Sequence, residues 1–523
     1  MSARKFPSTL GTLPAEKPRR RRLYVPVLFR RIYQGFFLVF FLLSLLLVGD
    51  EGIRRFPVRL FFLSDPLAAA ATLATSWLLP LGLLVAIAII ALTILFGRAF
   101  CGWICPLGTL NQIASWLTRR LRRGLPHEVN RWRPHFALKY LLLIALGVVA
   151  LAGSQQMGLL DPISLLARSL GSGIFPAVDA AIVDEFRPRI FIGAWLTGGI
   201  LIALLVANRW ITRWWCRALC PLGAGLGWIS RGAIYRIYVD PDHCTECHLC
   251  VRDCQGADEP HRKHRVSECH VCLNCIGSCP EGAIEFRPFA PASAPAGGVS
   301  IERRQIVGAA LAGVVALPLF RASAGSAASP GPLAIRPPGA LTENQFLARC
   351  SRCGSCINAC PTSALQPALG EAGIEGLWTP VLVARRGWCE PSCTLCGRVC
   401  PTGAIRPLGP DEKGWTRNGS QIRIGTAFFD QGRCLPWAMA IPCIVCQEVC
   451  PTSPKAIWLE EGSITRRDGT VVRLQKPHID PALCVGCGLC EAKCPVTDLA
   501  AVRVTRIGES RDPASSFTLR VPS

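Results

Sequence analysis

The chain has 523 residues, half of them hydrophobic, and its 57 Lys and Arg residues against 35 Asp and Glu residues give a formal net charge of +22. This length allows roughly three domains. Such a charge would suit a nucleic-acid ligand, but the basic residues border apolar runs, so we expect no nucleic-acid partner. All 28 Cys residues fall into metal-binding spacings, which argues against a small secreted domain held together by disulfides.

Four apolar runs precede residue 210 and predict membrane-spanning helices. Each has close to the ~20 residues that cross a bilayer and almost no charge; they cover residues 32–49, 77–96, 136–152 and 190–207. Basic residues cluster before the first run, between the second and third, and after the fourth, as the positive-inside rule requires. The sequence therefore predicts a multi-pass protein in a lipid bilayer, with a cytoplasmic N-terminus that includes Arg19–Arg22.

The predicted helices form two similar units. Each unit contains, in order, an Asp-Pro pair, an apolar run and a C-x₃-C-P-L-G motif; the residues are Asp65-Pro66, Cys101 and Cys105 in the first unit, and Asp161-Pro162, Cys216 and Cys220 in the second. Residues 1–239 are therefore predicted to form an α-helical transmembrane bundle with four spans and a two-fold repeat.

Two groups of residues in these units are candidates for catalysis. The four thiols of the C-x₃-C-P pairs lie on the reducing side of the membrane, where a resting disulfide is not expected. They can bind a further metal or cluster, act as redox thiols, or be structural. Asp65 and Asp161 lie at the outer ends of predicted spans, where a carboxylate can accept protons from a substrate. Asp before Pro is also a common helix N-cap, and we favour that interpretation.

The other 24 Cys residues form six quartets with the spacing of [4Fe–4S] cluster ligands. Each quartet provides four thiolates, so we expect about six clusters with these residues as the iron ligands. The quartets are Cys244, Cys247, Cys250 and Cys254; Cys269, Cys272, Cys275 and Cys279; Cys350, Cys353, Cys356 and Cys360; Cys389, Cys393, Cys396 and Cys400; Cys434, Cys443, Cys446 and Cys450; and Cys484, Cys487, Cys490 and Cys494.

The first two quartets predict a two-cluster ferredoxin domain of the α+β class over residues 240–287. In such domains the fourth Cys of each motif binds the other cluster. We therefore expect Cys279 to join the first three Cys residues of the first motif, and Cys254 to join the first three of the second.

Residues 288–341 are predicted to be a linker. Within it, Arg303-Arg304 and the apolar run 308–320 resemble a twin-arginine export signal; an ordinary membrane anchor is the alternative. Residues 342–510 carry the last four quartets and predict an α+β polyferredoxin domain, followed by a tail at 511–523. Its motifs can pair first with second and third with fourth, or be nested. Export would place this domain in the periplasm, whereas residues 240–287 stay in the cytoplasm.

These motifs carry a resemblance to a known pair of proteins. Residues 23–287 resemble NapH, the membrane quinol-dehydrogenase component associated with periplasmic nitrate reductase, and residues 301–507 resemble NapG, its exported four-cluster partner. The methylamine-utilisation ferredoxins MauN and MauM are similar to the same pair. This chain departs from them because the two proteins look fused, and because three residues separate Cys389 from Cys393.

The resemblance implies that quinol from the membrane pool is the substrate and that electrons pass through the clusters to a periplasmic reductase or a c-type cytochrome. The alternative is a copper reductase or cofactor-assembly protein, because related four-span ferredoxins with C-x₃-C-P motifs reduce copper. The exported domain favours quinol oxidation. We find no Gly-rich nucleotide loop, flavin fingerprint or C-x-x-C-H haem site, so oxidation of NADH by this chain is not expected.

Overall fold

The computed structural model describes residues 25–47, 59–78, 80–121, 130–182, 191–262, 264–290, 299, 301–322, 334–413, 415, 422–466 and 468–512. The basic residues Arg19–Arg22, the end of the first apolar run and most of the predicted C-terminal tail lie outside these residues. The described residues form a helical domain (25–229), a two-motif domain (235–290) and a four-motif domain (334–512), with a long helix between the last two.

The described part of the helical domain is built from α-helices. They are α1 (Val25–Leu46), α2 (Arg59–Leu63), α3 (Pro66–Ser76), α4 (Val85–Phe96), α5 (Ala99–Trp103), α6 (Pro106–Leu121), α7 (Leu138–Leu151), α8 (Pro162–Arg168), α9 (Phe175–Ile182), α10 (Ala194–Ala207), α11 (Trp214–Ala218) and α12 (Pro221–Ile229). A π-helical stretch, Ser169–Ile174, continues α8 into α9.

Within the described residues, three helical stretches are long and apolar enough to cross a membrane: Val25–Leu46, Pro134–Leu151 and Arg303–Arg321. The stretches Leu81–Phe96 and Ala194–Ala207 are apolar but shorter. The second predicted span therefore begins after Pro80 and not at Trp77, because Trp77 ends α3 in a left-handed conformation. The fourth begins after Gly193, which is also left-handed. Membrane crossing by these two helices remains a prediction.

The long helix α15 (Arg303–Ala322) runs beside α7 in the same direction. Near its start, Ile301 packs in a cluster with Tyr140. Near its end, Nη2 of Arg321 donates a hydrogen bond of 2.7 Å to the carbonyl of Ala152, just after α7. In between, a Cβ on Gly313 would lie 2.5 Å from the carbonyl oxygen of Ala145, so glycine is what permits this close approach. Helix α15 thus extends along the length of α7 and connects the two-motif domain to the four-motif domain.

The elements of the two predicted units have matching neighbours. Helix α6 contacts α8 and α10, and α12 contacts α3 and α4. In the same way, α5 lies against α1, and α11 lies against α7. In this comparison α1, α3, α4, α5 and α6 of the first unit correspond to α7, α8, α10, α11 and α12 of the second. Exchanging corresponding helices leaves this set of contacts unchanged, which is the relationship that a two-fold repeat would produce.

The two-motif domain covers one end of the helical domain. Its strands β1 (Tyr235–Val239) and β2 (Ile284–Pro288) pair antiparallel, and the short helices α13 (Leu249–Arg252) and α14 (Asn274–Ser278) follow its Cys loops. The domain therefore begins at Tyr235 and not at residue 240, because β1 supplies the only strand that pairs with β2 among the described residues. Nε1 of Trp103 donates to the carbonyl of Val271 at 2.9 Å.

The four-motif domain consists of short elements between Cys loops. They are α16 (Glu343–Arg349), α17 (Ser355–Asn358), β3 (Leu365–Pro367), β4 (Pro380–Leu382), α18 (Leu395–Val399), α19 (Pro410–Lys413), β5 (Thr426–Phe429), α20 (Leu435–Ala438), α21 (Val445–Glu448), β6 (Ile457–Thr465), β7 (Val471–Ile479), α22 (Leu489–Lys493) and β8 (Val502–Thr505). The antiparallel pairs are β3 with β4, β5 with β8 and β6 with β7.

Both predicted boundaries of this domain are too narrow. Ala334 and Ile335 are buried in its core, so residues 334–341 belong to the domain and not to the linker. At the other end, Arg511 pairs with Glu343 at 2.9 Å, so the domain includes the first residues of the predicted tail. The predicted linker also contains α15, a regular helix.

Candidate iron–sulfur and proton-accepting sites

The two-motif domain gathers its eight Cys residues into two groups of four. One cavity is lined by Cys244, Cys247, Cys250 and Cys279. In the other group, Cys275 lies in electrostatic contact with Cys272, Cys269 and Cys254. The fourth Cys of each motif thus completes the group formed by the other motif, as ferredoxin spacing predicts.

The backbone of the Cys loops alternates between right-handed and left-handed conformations, so that each loop curves around a common centre. Residues on both sides of the second Cys adopt positive φ angles in four of the six motifs: Glu246 and His248, Val271 and Leu273, Arg352 and Gly354, and Gly486 and Gly488. Five of these eight residues are not glycine, and such residues rarely adopt this conformation. Strain of this kind persists where the surrounding structure requires it, typically at ligand sites.

The sixteen Cys residues of the four-motif domain also form four groups. Three groups line cavities and the fourth is in mutual electrostatic contact. We call them site A (Cys350, Cys353, Cys356 and Cys400), site B (Cys360, Cys389, Cys393 and Cys396), site C (Cys450, Cys484, Cys487 and Cys490) and site D (Cys434, Cys443, Cys446 and Cys494). The motifs therefore pair first with second and third with fourth, again with exchange of the fourth Cys. The three residues between Cys389 and Cys393 do not displace either thiol from site B.

The four sites are neighbours in a definite order. Cys356 of site A is in electrostatic contact with Cys396 of site B. The amide of Cys389 in site B donates a hydrogen bond of 2.8 Å to the carbonyl of Cys487 in site C. Cys490 of site C is in electrostatic contact with Cys446 of site D. The order along the domain is therefore A, B, C, D, which differs from the order of the motifs in the sequence.

The four thiols of the C-x₃-C-P pairs come together in the interior of the helical domain. All four are buried, and Cys220 is in electrostatic contact with Cys216, Cys101 and Cys105. The two thiols of a pair do not share one helix, because each proline after the second Cys begins a new helix, α6 or α12. We call this group the C-x₃-C-P quartet.

Backbone amides point at two sulfur atoms of this quartet. The amide of Gly223 donates to Sγ of Cys220 at 3.2 Å, and the amide of Gly108 makes the matching bond to Cys105. Burial raises the pKa of both thiols, so without a bound cation they are neutral. Among the described residues, no three His, Cys, Asp or Glu side chains surround a single point tightly enough to hold one metal ion.

The charges around the quartet are unbalanced. Arg98, Lys139 and Arg213 are fully buried beside it, and Glu268 is the carboxylate that pairs with the first two of them. Within the described residues, Nε and Nη2 of Arg98 have no hydrogen-bond partner, although Nη2 lies next to Gly223 and Cys220. Buried positive charge that outnumbers the negative charge beside it is costly, so this pocket suits an anionic group. An oxidised [4Fe–4S] core of about +2 held by four thiolates carries about two negative charges.

Asp65 and Asp161 form a carboxyl pair on the other side of the helical domain. Both are buried, and both are helix N-caps, as the Asp-Pro pattern predicts: Leu67 donates to Asp65 at 2.9 Å, and Ser164 donates to Asp161 at 2.7 Å. Burial, and then the neighbouring Asp161, raise the pKa of Asp65, and burial raises that of Asp161. Oδ1 of Asp161 has no hydrogen-bond partner among the described residues unless a proton is shared with Asp65.

Arg168 links this pair to the four-motif domain, and the sequence had not singled it out. Its buried guanidinium is in electrostatic contact with both Asp161 and Cys353 of site A. Glu268 and Lys139, beside the C-x₃-C-P quartet, were missed in the same way. A charged residue inside an apolar run is the signal that would have identified Lys139, whereas Arg168 lies in none of the four predicted runs.

Comparison with known proteins agrees with these sites. A family model described as a 4Fe-4S binding domain matches residues 78–124 and again residues 191–237, and each match contains one C-x₃-C-P pair. Two further models with the same description match residues 347–366 and 476–500. No solved structure matches the chain.

Three curated relatives illustrate the similarity. The methylamine utilization ferredoxin-type protein MauM of Methylorubrum extorquens is 39% identical over 189 residues, which are 35% of this chain and 79% of MauM. The ferredoxin-type protein NapG of Escherichia coli K12 is 37% identical over 172 residues, 32% of this chain and 69% of NapG. YccM of the same organism is 30% identical over 205 residues, 38% of this chain and 53% of YccM. Since the chain covers more than two thirds of MauM and of NapG, it belongs to the Nap/Mau-type family of ferredoxin-type iron–sulfur proteins.

Proposed function

We propose that the protein is anchored in a bacterial inner membrane, oxidises quinol there, and passes the electrons through [4Fe–4S] clusters to a periplasmic reductase or a c-type cytochrome. The observation that carries this proposal is the position of the Asp65–Asp161 pair. It is buried in the helical domain, and the guanidinium of Arg168 lies near both Asp161 and Cys353 of site A. A proton acceptor thus lies beside an electron acceptor, which is the combination that quinol oxidation requires.

Each quinol that is oxidised loses two protons and two electrons. The raised pKa of Asp65 favours a state in which the pair holds one proton, and the remaining carboxylate is then a base that takes one quinol proton at a time and passes it to water before it takes the second. Arg168 limits the build-up of negative charge on the pair between turnovers. When bound at the Cys sites, [4Fe–4S] clusters supply acceptors that take one electron at a time.

The proposed topology rests on the direction of α15. Because α15 runs parallel to α7, it would carry the chain across the membrane a further time after the predicted four spans. The two-motif domain would then be cytoplasmic and the four-motif domain periplasmic. Arg303-Arg304 at the start of α15 would serve as the twin-arginine signal, and the helical domain with the two-motif domain would be the NapH-like half of a fused chain.

We also propose that the C-x₃-C-P quartet holds a further [4Fe–4S] cluster. Its four thiols come two from each predicted repeat, and amides of α6 and α12 donate to Cys105 and Cys220. The buried cations Arg98, Arg213 and Lys139 outnumber the carboxylate Glu268, and this excess of positive charge favours a cluster whose thiolates make it anionic. The quartet would connect the helical domain to the two-motif domain, since Trp103 and Val271 lie between them.

The test is reduction of the purified, anaerobically reconstituted protein by a short-chain quinol. We expect quinol to bleach the iron–sulfur absorbance while NADH, as the control donor, does not, and dithionite to set the full amplitude. If quinol reduces no cluster that dithionite can reduce, quinol is not the electron donor and this function is wrong.

A further inference from the structure

We infer that the four-motif domain is seated permanently on the helical domain, and that electrons enter it at site A without passing through the two-motif domain. The docking part of this inference stands on the contacts alone. The part that concerns electron transfer rests on the proposed oxidation of quinol in the helical domain.

The two domains share buried hydrogen bonds. Oγ1 of Thr75, at the end of α3, donates to the carbonyl of Ala348 at 2.5 Å. The amide of Ile192 donates to Oε1 of Gln366 at 2.8 Å, and the Gln366 side chain is fully buried. Each such hydrogen bond stabilises the docked arrangement by about 1 kcal/mol relative to the hydrated, separated groups. Such contacts are expected of a lasting interface and not of a passing encounter.

The backbones approach most closely next to site A. A Cβ on Gly158 would lie 2.0 Å from the carbonyl oxygen of Ser351, so residue 158 must be glycine for the domains to meet as they do. Ser351 stands between Cys350 and Cys353, two of the thiols of site A. Cys353 itself packs in one hydrophobic cluster with helical-domain residues such as Leu166. Site A therefore forms part of the interface.

Arg168 makes this interface electrostatically suited to receive electrons. Its guanidinium stacks over the Trp378 ring at 4.5 Å and donates to the carbonyl of Gly158 at 3.2 Å. It is in electrostatic contact with Asp161 on one side and Cys353 on the other. A buried cation favours the more negative, reduced form of a neighbouring cluster. Arg168 is thus a positioning residue that would draw electrons from the quinol site towards site A.

The two-motif domain is not part of the interface at site A. It contacts the helical domain near Arg98 and Trp103, next to the C-x₃-C-P quartet, through Ser267 and Val271. The path from the Asp65–Asp161 pair to site A does not include it. Because neighbouring sites follow in the order A, B, C, D, electrons that enter at site A would leave at site D.

The docking is tested with a protease site inserted between residues 323 and 332 of the full-length protein in membrane vesicles. After cleavage, we expect the four-motif domain of the otherwise unchanged protein to sediment with the membranes. Gly158→Val should release it, because a side chain there meets backbone atoms of Ser351. Gly199→Val is the matched control, since no atom lies within 4 Å of a Cβ at that position. Release of the domain from the protein with wild-type Gly158 would overturn the inference.

The route is tested with Gly158→Val and Arg168→Gln in the uncleaved protein. In Gly158→Val, quinol should still reduce clusters of the helical and two-motif domains, while quinol reduction of the four-motif clusters falls at least tenfold and dithionite reduction is unchanged. Arg168→Gln should shift the reduction potential of one cluster, that at site A, to a more negative value in a titration followed by electron paramagnetic resonance. If Arg168→Gln shifts no reduction potential, or if quinol reduces all clusters of the Gly158→Val protein at the wild-type rate, electrons do not enter at site A. If quinol reduces nothing even in the wild type, the proposed function fails, and the sedimentation result still decides the docking.

Discussion

The carboxyl groups of Asp65 and Asp161 interact with each other in the interior of the helical domain, and each also caps the helix that begins at the next residue. One side chain therefore has two roles that can be separated by experiment. Asn caps a helix about as well as Asp, but it cannot take up a proton from quinol.

Replacement of both residues by Asn should therefore leave the fold intact and slow quinol oxidation. We expect the quinol-dependent reduction rate to fall about 100-fold, the usual range for loss of a general base, with unchanged reduction by dithionite. Thermal stability should stay close to that of the wild type. The control is Asp161→Ala, which removes the cap as well and should lower stability by ~1 kcal/mol. A wild-type quinol rate in the double Asn variant would mean that both residues are caps and nothing more.

The C-x₃-C-P quartet makes a prediction about metal content. With six ferredoxin-type sites filled and the quartet filled as well, the reconstituted protein should contain about 28 iron atoms per chain, against about 24 without the quartet. Replacing Cys105 and Cys220 by Ser should remove about four iron atoms and slow quinol-dependent reduction of the two-motif clusters. Iron and acid-labile sulfide analysis measures this directly. An unchanged iron content would show that the quartet is structural or acts as redox thiols.

The exchange of the fourth Cys between motifs predicts a pattern of non-additivity. Cys434 and Cys494 belong to one site although they come from different motifs, so replacing either or both by Ser should remove about four iron atoms per chain. Cys434 and Cys450 share a motif but belong to different sites, so that double variant should lose about eight. The opposite result, with the second pair behaving as one site, would rule out the exchange.

Glu343 forms ion pairs with one residue near the beginning of the four-motif domain and one near its end. It accepts from Arg336 at 2.6 Å and from Arg511 at 2.9 Å. Burial opposes its ionisation, but the two guanidinium groups outweigh burial and lower its pKa from 4.5 to about 2. A carboxyl group whose pKa is lowered on folding stabilises the fold at pH values above its pKa in the unfolded chain. This contribution, on the order of 3 kcal/mol, is lost as the pH falls from about 4.5 to about 2.

The Glu343→Gln variant should therefore lose cluster absorbance on heating faster than the wild type at pH 7. The ratio of the two rates should shrink towards one as the pH is lowered through that window. Comparison of the two proteins at the same pH cancels the general acid sensitivity of the clusters. Glu371→Gln is the control, because Glu371 accepts only from local backbone amides. A rate ratio that does not depend on pH would contradict the assignment.

The start of α15 predicts how the four-motif domain reaches its final side. Replacing Arg303 and Arg304 together by Lys should leave that domain in the cytoplasm, while the earlier helices insert as before. External protease added to spheroplasts should then degrade the four-motif domain of the wild type and spare that of the variant. Protection of residues 345–507 in the wild type would mean that the domain is not exported.

The Cys sites were accessible to sequence reasoning because ferredoxin spacing is a local constraint. Three ligands come from one loop, and the exchange of Cys254 and Cys279 follows from the same spacing. The pairing of the last four motifs was open, because it depends on contacts such as Cys389 with Cys487 that span distant parts of the chain. The order of sites A to D could not be predicted for the same reason.

The helical domain was predicted less completely. Hydropathy located the apolar runs, but it extended the second run over Trp77, whose left-handed backbone ends α3. Patterning also gave no reason to connect Arg168 with Cys353, because that contact exists only once two domains meet. The Asp-Pro pattern identified both caps, but it did not indicate that the two carboxyl groups would interact.

Helix α15 has a consequence for the supply of electrons at low protein abundance. Because Gly313 lets this helix pack against α7 and because one chain carries both domains, the four-motif domain meets its docking surface at a fixed local concentration, in the millimolar range for short linkers. A separate four-motif protein would need to be made in matching amounts and would dissociate on dilution. In this chain the ratio is one to one at every expression level, and occupancy of the interface does not depend on how many copies the membrane contains.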